Sequence, residues 1–165
     1  MLPIRIILHA TDFSESSAYA FRLACSLARD YSARLVMLHV AEQPVVVPID
    51  GSTFLPPPLD RERLLKDLQC WQAQEPGVRI EYRLAEGDPA AEIVRAAAET
   101  GCDLIVMGTH GRAGLGRLLL GSVAEQVLRR APCPVMTMKI PHPQAQSAQE
   151  NVPHQVHQTC DAAKA

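Results

Sequence analysis

The stretch Gly108-Thr109-His110-Gly111-Arg112-Ala113-Gly114-Leu115-Gly116-Arg117-Leu118-Leu119-Leu120-Gly121-Ser122 limits the folds open to this chain more than any other. An apolar run, Leu104-Ile105-Val106-Met107, precedes it, and Val123-Ala124-Glu125-Gln126-Val127-Leu128 follows it with helical spacing. The order is therefore strand, glycine-rich loop, helix N-terminus. Such a junction suits an anion, because a glycine backbone approaches a ligand closely and the first N–H groups of a helix lie unpaired at the positive end of its dipole. A second reading needs no ligand: Ser122-Val123-Ala124-Glu125 fits a capping box with Ser122 at the N-cap. Two common nucleotide signatures do not fit. No Gly-Lys-Ser/Thr follows the loop, and a G-x-G-x-x-G begun at Gly114 meets Leu119 at its third glycine.

The rest of the chain supplies a matching framework. Ile4 to His9 is a short, mostly apolar strand leading through Thr11-Asp12-Phe13-Ser14-Glu15 into a helix. In that helix Tyr19, Leu23, Leu27 and Tyr31 recur every four residues, with Phe21, Ala24 and Ala28 widening the stripe, and it should end near Tyr31. Arg34 to Val40 is nearly continuously apolar, as a buried parallel strand is. Between Ala41 and Pro58 six Pro and Gly residues predict a long loop without regular elements. Leu64, Leu65, Leu68 and Trp71 predict a helix starting near Leu59, and Ile80 to Leu84 alternates like a strand nearer the sheet edge. Asp88-Pro89 is an N-cap and first-turn pair for a helix running to Gly101. Pro132-Cys133-Pro134 then breaks the chain before a last strand, Val135 to Lys139.

About five strands alternating with four helices mean an α/β fold with a parallel sheet covered on both faces. One domain over residues 1–140 is expected, and residues 141–165, rich in Gln and Pro and poor in large apolar side chains, are expected to form a disordered tail. His154 and His157 in that tail are two metal ligands without a third, so no metal site is assigned.

Composition excludes several partners. A net charge of −2 offers no basic field, and three Phe, three Tyr and one Trp are too few and scattered for base stacking, so nucleic acid is not expected. Five cysteines, an odd number without C-x-x-C, suit buried thiols in a reducing compartment. The first apolar run is short and interrupted by Arg5, and no run approaches a membrane span, so a cytoplasmic location without membrane contact is expected.

Gly108, two residues, Gly111, nine residues and Gly121-Ser122 resemble the G-x2-G-x9-G-(S/T) signature of the ATP-binding universal stress proteins. The likeness runs from Ile4 to about Lys139. It implies a doubly wound sheet of order 3-2-1-4-5, adenine nucleotide alpha hydrolase-like, in which the loops after the first and fourth strands face each other. Thr11-Asp12-Phe13-Ser14 looks like the family's first-loop motif, whose Asp lies at the nucleoside, and Val40 matches the position that packs on adenine. The implied site has the base between Ala10, Val40 and Met107, with Thr11 and Asp12 on one side. The phosphates are met by the stretch from Gly108 through His110, Gly111 and Arg112 and by Gly121, Ser122 and Val123. ATP with Mg²⁺ is the implied ligand.

Other readings of these residues stay open. Asp12 also fits a capping box with Glu15 at N3. Val40 fits the core, His110 a backbone contributor, and Arg112 and Arg117 solvated cations as well as phosphate partners. Two positions depart from the family: Ala10 where it often has Pro, and His9 where a β-branched apolar residue is usual. His9 puts a polar ring on a central strand close to the implied adenine end, where it needs partners or a shift toward neutrality and is expected to narrow the pocket.

Three functions compete. A nucleotide-dependent regulatory module of the stress response comes first. A slow ATPase has only His110, Asp12 and the arginines for its chemistry, so at most weak hydrolysis is expected. A nucleotide-free dimerisation module would not need the glycines. A homodimer is expected in any case, because Val135 to Met138 is an apolar strand at a sheet end.

Overall fold

The computed structural model describes residues 3–41, 48–49, 52–53, 59–72, 77–109 and 120–140. The strands of its main sheet are Ile6–Thr11 (β1), Arg34–Ala41 (β2), Ile80–Glu86 (β3), Leu104–Gly108 (β4) and Val135–Met138 (β5), all parallel, in the order β3-β2-β1-β4-β5. Counted along the chain this is the expected 3-2-1-4-5. The central strands are the runs too apolar to face water on either side, and the alternating Ile80 to Leu84 run does lie at an edge.

Helices Glu15–Asp30 (α1) and Arg61–Gln72 (α2) cover one face. There Ile7, Leu35, Met37, Leu104 and Val106 pack against Phe21, Ala24, Cys25, Ala28 and Leu68. Helices Pro89–Thr100 (α3) and Ser122–Arg130 (α4) cover the other, where Leu8, Ala10, Val36, Leu38, Ile105 and Met107 meet Ala90, Ile93, Ala97, Ala124 and Val127. Alternation along each strand divides the core in two.

Details differ from the reading of the sequence. The stripe of α1 that meets the sheet is Ser17, Ala20, Phe21, Ala24, Cys25 and Ala28, whereas Tyr31 at the expected stripe's end is exposed. Small residues let this helix approach its sheet closely, so the larger Tyr and Leu side chains flank the contact line. In α2, Leu68 is fully buried while Leu65 is exposed. Within the loop expected to lack regular structure, Pro48–Ile49 pairs antiparallel with Ser52–Thr53.

The signals at α3 were fully legible. Asp88 is its N-cap, accepting the Ala91 N–H at 2.8 Å, Pro89 is in its first turn, and Gly101 ends it with φ 60°. The segment 141–165, expected as a disordered tail, lies outside the described residues. No helix among the described residues is long and apolar enough to cross a membrane.

Candidate functional site

The strand order reverses between β1 and β4, and in open α/β sheets ligands bind beyond the carboxyl ends of strands at such a point. The two strands are direct neighbours, with Ala10 opposite Met107. The adjacency that only resemblance implied is therefore present, and the Asp12 turn and the chain after Gly108 leave the sheet side by side.

The fit between them is close. A β-carbon on Gly108 would lie 2.6 Å from Ser16 Oγ and 3.0 Å from the Ser16 carbonyl carbon. The glycine is therefore required by the first turn of α1, whatever it also offers a ligand. The Ser16 hydroxyl donates to the Met138 carbonyl at 3.4 Å, and the Thr109 N–H donates to the same oxygen at 2.9 Å. Thr109 in turn accepts the Gly121 N–H at 2.7 Å, which fixes the start of α4 over the end of β4. The sequence reading passed over Ser16 and Thr109; both are buried, and nothing in residue type separates them from ordinary loop hydroxyls.

The start of α4 departs from the capping-box reading. Gly121 is the N-cap (φ −73°, ψ 155°), no side-chain cap hydrogen bond is made among the described residues, and Ser122 is the first helical residue and exposed. The Gly121 N–H, expected to meet phosphate, is taken by Thr109. The first-turn donors are therefore the N–H groups of Ser122, Val123 and Ala124.

At the β1 turn the cap is Ser14, whose hydroxyl accepts the Ser17 N–H at 3.2 Å. Asp12 is thus not the N-cap. Its Oδ1 instead accepts from the Ser14 N–H at 3.1 Å and the Ser14 hydroxyl at 2.6 Å, closing a turn ahead of the helix. Thr11 is buried, its Oγ1 accepting from the Ser17 hydroxyl at 2.7 Å and the Phe13 N–H at 3.1 Å. Phe13 holds φ 64°, a conformation that a bulky residue adopts only where packing imposes it. Here its ring stands 4.6 Å from that of His39 and 5.8 Å, edge-on, from that of Trp71. His39 Nδ1 donates to the Thr11 carbonyl at 2.8 Å, tying the turn to β2.

Ala10, Val40, Met107 and Val123 belong to one apolar cluster beside α3 and α4, joined by Ala85 and Leu120. The structure thus gathers four predicted site residues on one face of the sheet. His110, Gly111 and Arg112, with the rest of 110–119, lie outside the described residues.

His9 points to the other face, its ring 5.6 Å from that of Phe21 and 6.5 Å from that of Trp71, so it does not narrow the space by Ala10. Its Nδ1 donates to the Val106 carbonyl at 3.0 Å, while Nε2 is buried without a partner. Burial holds the imidazole neutral, lowering its pKa from 6.5 to about 4 against the opposing pull of that hydrogen bond and of Asp12. Among the described residues no group of three or more His, Cys, Asp or Glu is placed to hold a metal ion.

The sequence profile of the universal stress protein family matches residues 3–139. The chain belongs to the universal stress protein family. It is 41% identical over 139 residues to universal stress protein MJ0531 of Methanocaldococcus jannaschii, covering 82% of each chain. It is 34% identical over 145 residues to universal stress protein YxiE of Bacillus subtilis, covering 81% of this chain and 97% of that one. Among solved structures it is similar to a universal stress protein in complex with cAMP, with a TM-score of 0.63 and 25% identity over 84% of this chain and 98% of that one. The doubly wound sheet of this universal stress protein is thus the family's, and such a relative carries an adenine nucleotide.

Two predictions follow from these contacts. Gly108→Ala should destabilise the fold by about 1–3 kcal/mol, because the added methyl meets helix backbone that cannot step aside. Urea unfolding would show the loss, and an unchanged midpoint would mean that the strand and helix separate easily. For His9, the unfolded chain takes up a proton near pH 6.5 that the native site refuses until about pH 4. Stability should therefore be full above pH 6.5 and fall by about 3 kcal/mol as pH drops to 4. Subtracting the pH profile of His9→Leu from that of the unmutated chain isolates this term, and a flat difference would contradict it.

Proposed function

We propose that this universal stress protein binds ATP with Mg²⁺ across the β1 and β4 turns and acts as a nucleotide-dependent regulatory module of the stress response. The observation that carries the reading is the start of α4. Its first-turn N–H groups lack a side-chain cap and stand over the carboxyl end of β4, next to the apolar cluster of Ala10, Val40 and Met107. That pairing of an apolar surface with converging amides suits a base at one end and phosphates at the other. The relative in complex with cAMP supports an adenine ligand.

In this reading the base lies on Ala10, Val40 and Met107, and the Asp12 turn faces the nucleoside. The phosphates take the N–H groups of Ser122 and Val123, together with Gly111 and Arg112 from the glycine stretch. Mg²⁺ needs only one or two protein carboxylates when phosphates supply its other ligands, and Asp12 meets that need without a larger acidic cluster. Saturating ATP should raise the melting temperature, corresponding to about 2.7 kcal/mol at a hundredfold excess over Kd. Gly111→Val or Gly121→Val should abolish the shift while far-UV circular dichroism stays native. A shift that persists in both variants would remove this reading.

We further propose a cytoplasmic homodimer paired through β5. The two sheet edges differ in kind. On β3, Glu81 and Arg83 place charge along the edge, with Arg83 Nε 2.9 Å from Glu81 Oε1. β5 carries no charge, and Met136 and nearby Ile140 and Leu128 expose large apolar surface. An uncharged apolar edge is one that proteins usually cover or pair. Thr137→Pro removes a ladder donor and should yield monomers in size-exclusion chromatography. A dimer that survives the change would place the interface elsewhere.

A further inference from the structure

At the end of the sheet opposite the nucleotide cleft, two thiols meet. Cys102 follows the close of α3, its N–H donating to the Ala97 carbonyl at 3.2 Å, and Cys133 sits between Pro132 and Pro134 in the connection from α4 to β5. Their Sγ atoms are 3.5 Å apart. The sheet register brings them together: Ile105 pairs with Val135 and its N–H donates to the Pro134 carbonyl at 3.0 Å, so the segments entering two neighbouring parallel strands run side by side. A sulfur–sulfur bond spans about 2.05 Å, so closing this pair takes about 1.5 Å of motion, within reach of side-chain rotation. Neither sulfur belongs to the cleft, and two thiolates alone fall short of a four-coordinate zinc site.

We propose that Cys102 and Cys133 are a reversible oxidative cross-link, closed by exchange with a small disulfide such as glutathione disulfide. Cys133 is the entry point, being partly exposed while Cys102 is buried. Its thiolate attacks one sulfur of the oxidant and expels one glutathione thiolate, leaving a mixed disulfide. Cys102 then loses its proton and attacks the Cys133 sulfur, expelling the second glutathione. Two protein thiols are oxidised by two electrons, one disulfide is reduced to two thiols, and the two protons end on glutathione. Burial pushes Cys102 up to about 12 and raises Cys133 as well, so both stay protonated at neutral pH and exchange there is slow.

The cross-link would join positions 31 residues apart, closing a loop that contains β4, the glycine stretch and all of α4. Constraining that loop in the unfolded chain makes the oxidised protein harder to unfold, and it fastens the exit of α4 to the entry of β4. The full chain, held with glutathione disulfide at about pH 8.5, alkylated and digested with trypsin without reduction, should yield peptide 96–112 joined to peptide 131–139. Reduction should separate them, and the oxidised protein should melt several degrees above the reduced one. Cys102→Ser and Cys133→Ser should each lose the joined peptide and the shift. Glutathione retained on Cys133 without the joined peptide, or links confined to Cys70 and Cys160, would overturn the proposal. The peptide map of the unmutated chain decides this even where a serine variant fails to fold.

Discussion

The first turn of α1 lies so close to the end of β4 that residue 108 has no room for a side chain. That approach depends on Ser16 being small and on Gly108 lacking a β-carbon, and it is held by Met138, whose carbonyl accepts from both the Ser16 hydroxyl and the Thr109 N–H. Three elements from distant parts of the chain are thereby fixed at one point: the start of α1, the end of β4 and the end of β5. The geometry of the cleft follows from this, because α1 leaves the sheet directly after the Asp12 turn and α4 is attached to β4 through Thr109. A looser contact would let the two turns drift apart, and a site shared between them, as proposed above, could not tolerate much drift.

The two faces of the sheet divide the work around that point. On the α1 and α2 face, polar side chains hold the β1 turn, Ser17 on Thr11 and His39 on the Thr11 carbonyl, while His9 ties β1 to β4 through the Val106 carbonyl. The rings of His39, Phe13, Trp71, Phe21 and His9 pack in sequence behind them, with Phe13, at φ 64°, between His39 and Trp71. On the α3 and α4 face the corresponding positions are Ala10, Val40 and Met107, small or apolar and without hydrogen bonds to satisfy. A ligand surface requires that asymmetry. Thr11 and His39, which tie the turn to α1 and β2, lie on the face opposite Ala10, Val40 and Met107, so those hydrogen bonds do not occupy the apolar side.

Much of this was legible in the sequence because it rests on local signals or on alternation. Asp88-Pro89 and Gly101 bracket α3 through caps that involve only neighbouring residues, and the apolar runs of β2 and β4 identify buried parallel strands from composition alone. The stripe of α1 was legible in part: Phe21, Ala24 and Ala28 do meet the sheet, whereas Tyr19, Leu23 and Leu27 flank it and Tyr31 is exposed, because the close contact is made chiefly by alanine and serine. The roles of Ser16 and Gly108 join residues 92 positions apart and follow only from the finished sheet. His9 was legible as a misfit on a central strand, but the face it chooses depends on strand parity, and strand parity depends on register.

The start of α4 shows best why a cap and a binding site are hard to separate in a sequence. Ser122 and Glu125 have the spacing of a capping box, yet the cap is one residue earlier, at Gly121, whose N–H is held by the Thr109 carbonyl. Ser122 is accordingly the first helical residue and not the cap, and its hydroxyl does not close the helix. Had Ser122 capped the helix, its oxygen would have satisfied an N–H at the N2 or N3 position, and an anion would have had to displace it. With glycine at the cap, no side-chain cap bond takes those amides among the described residues, and they lie at the positive end of the helix dipole. A side-chain cap favours stability of the helix alone, whereas a backbone-tethered glycine sacrifices some of it and leaves the donors to whatever occupies the cleft.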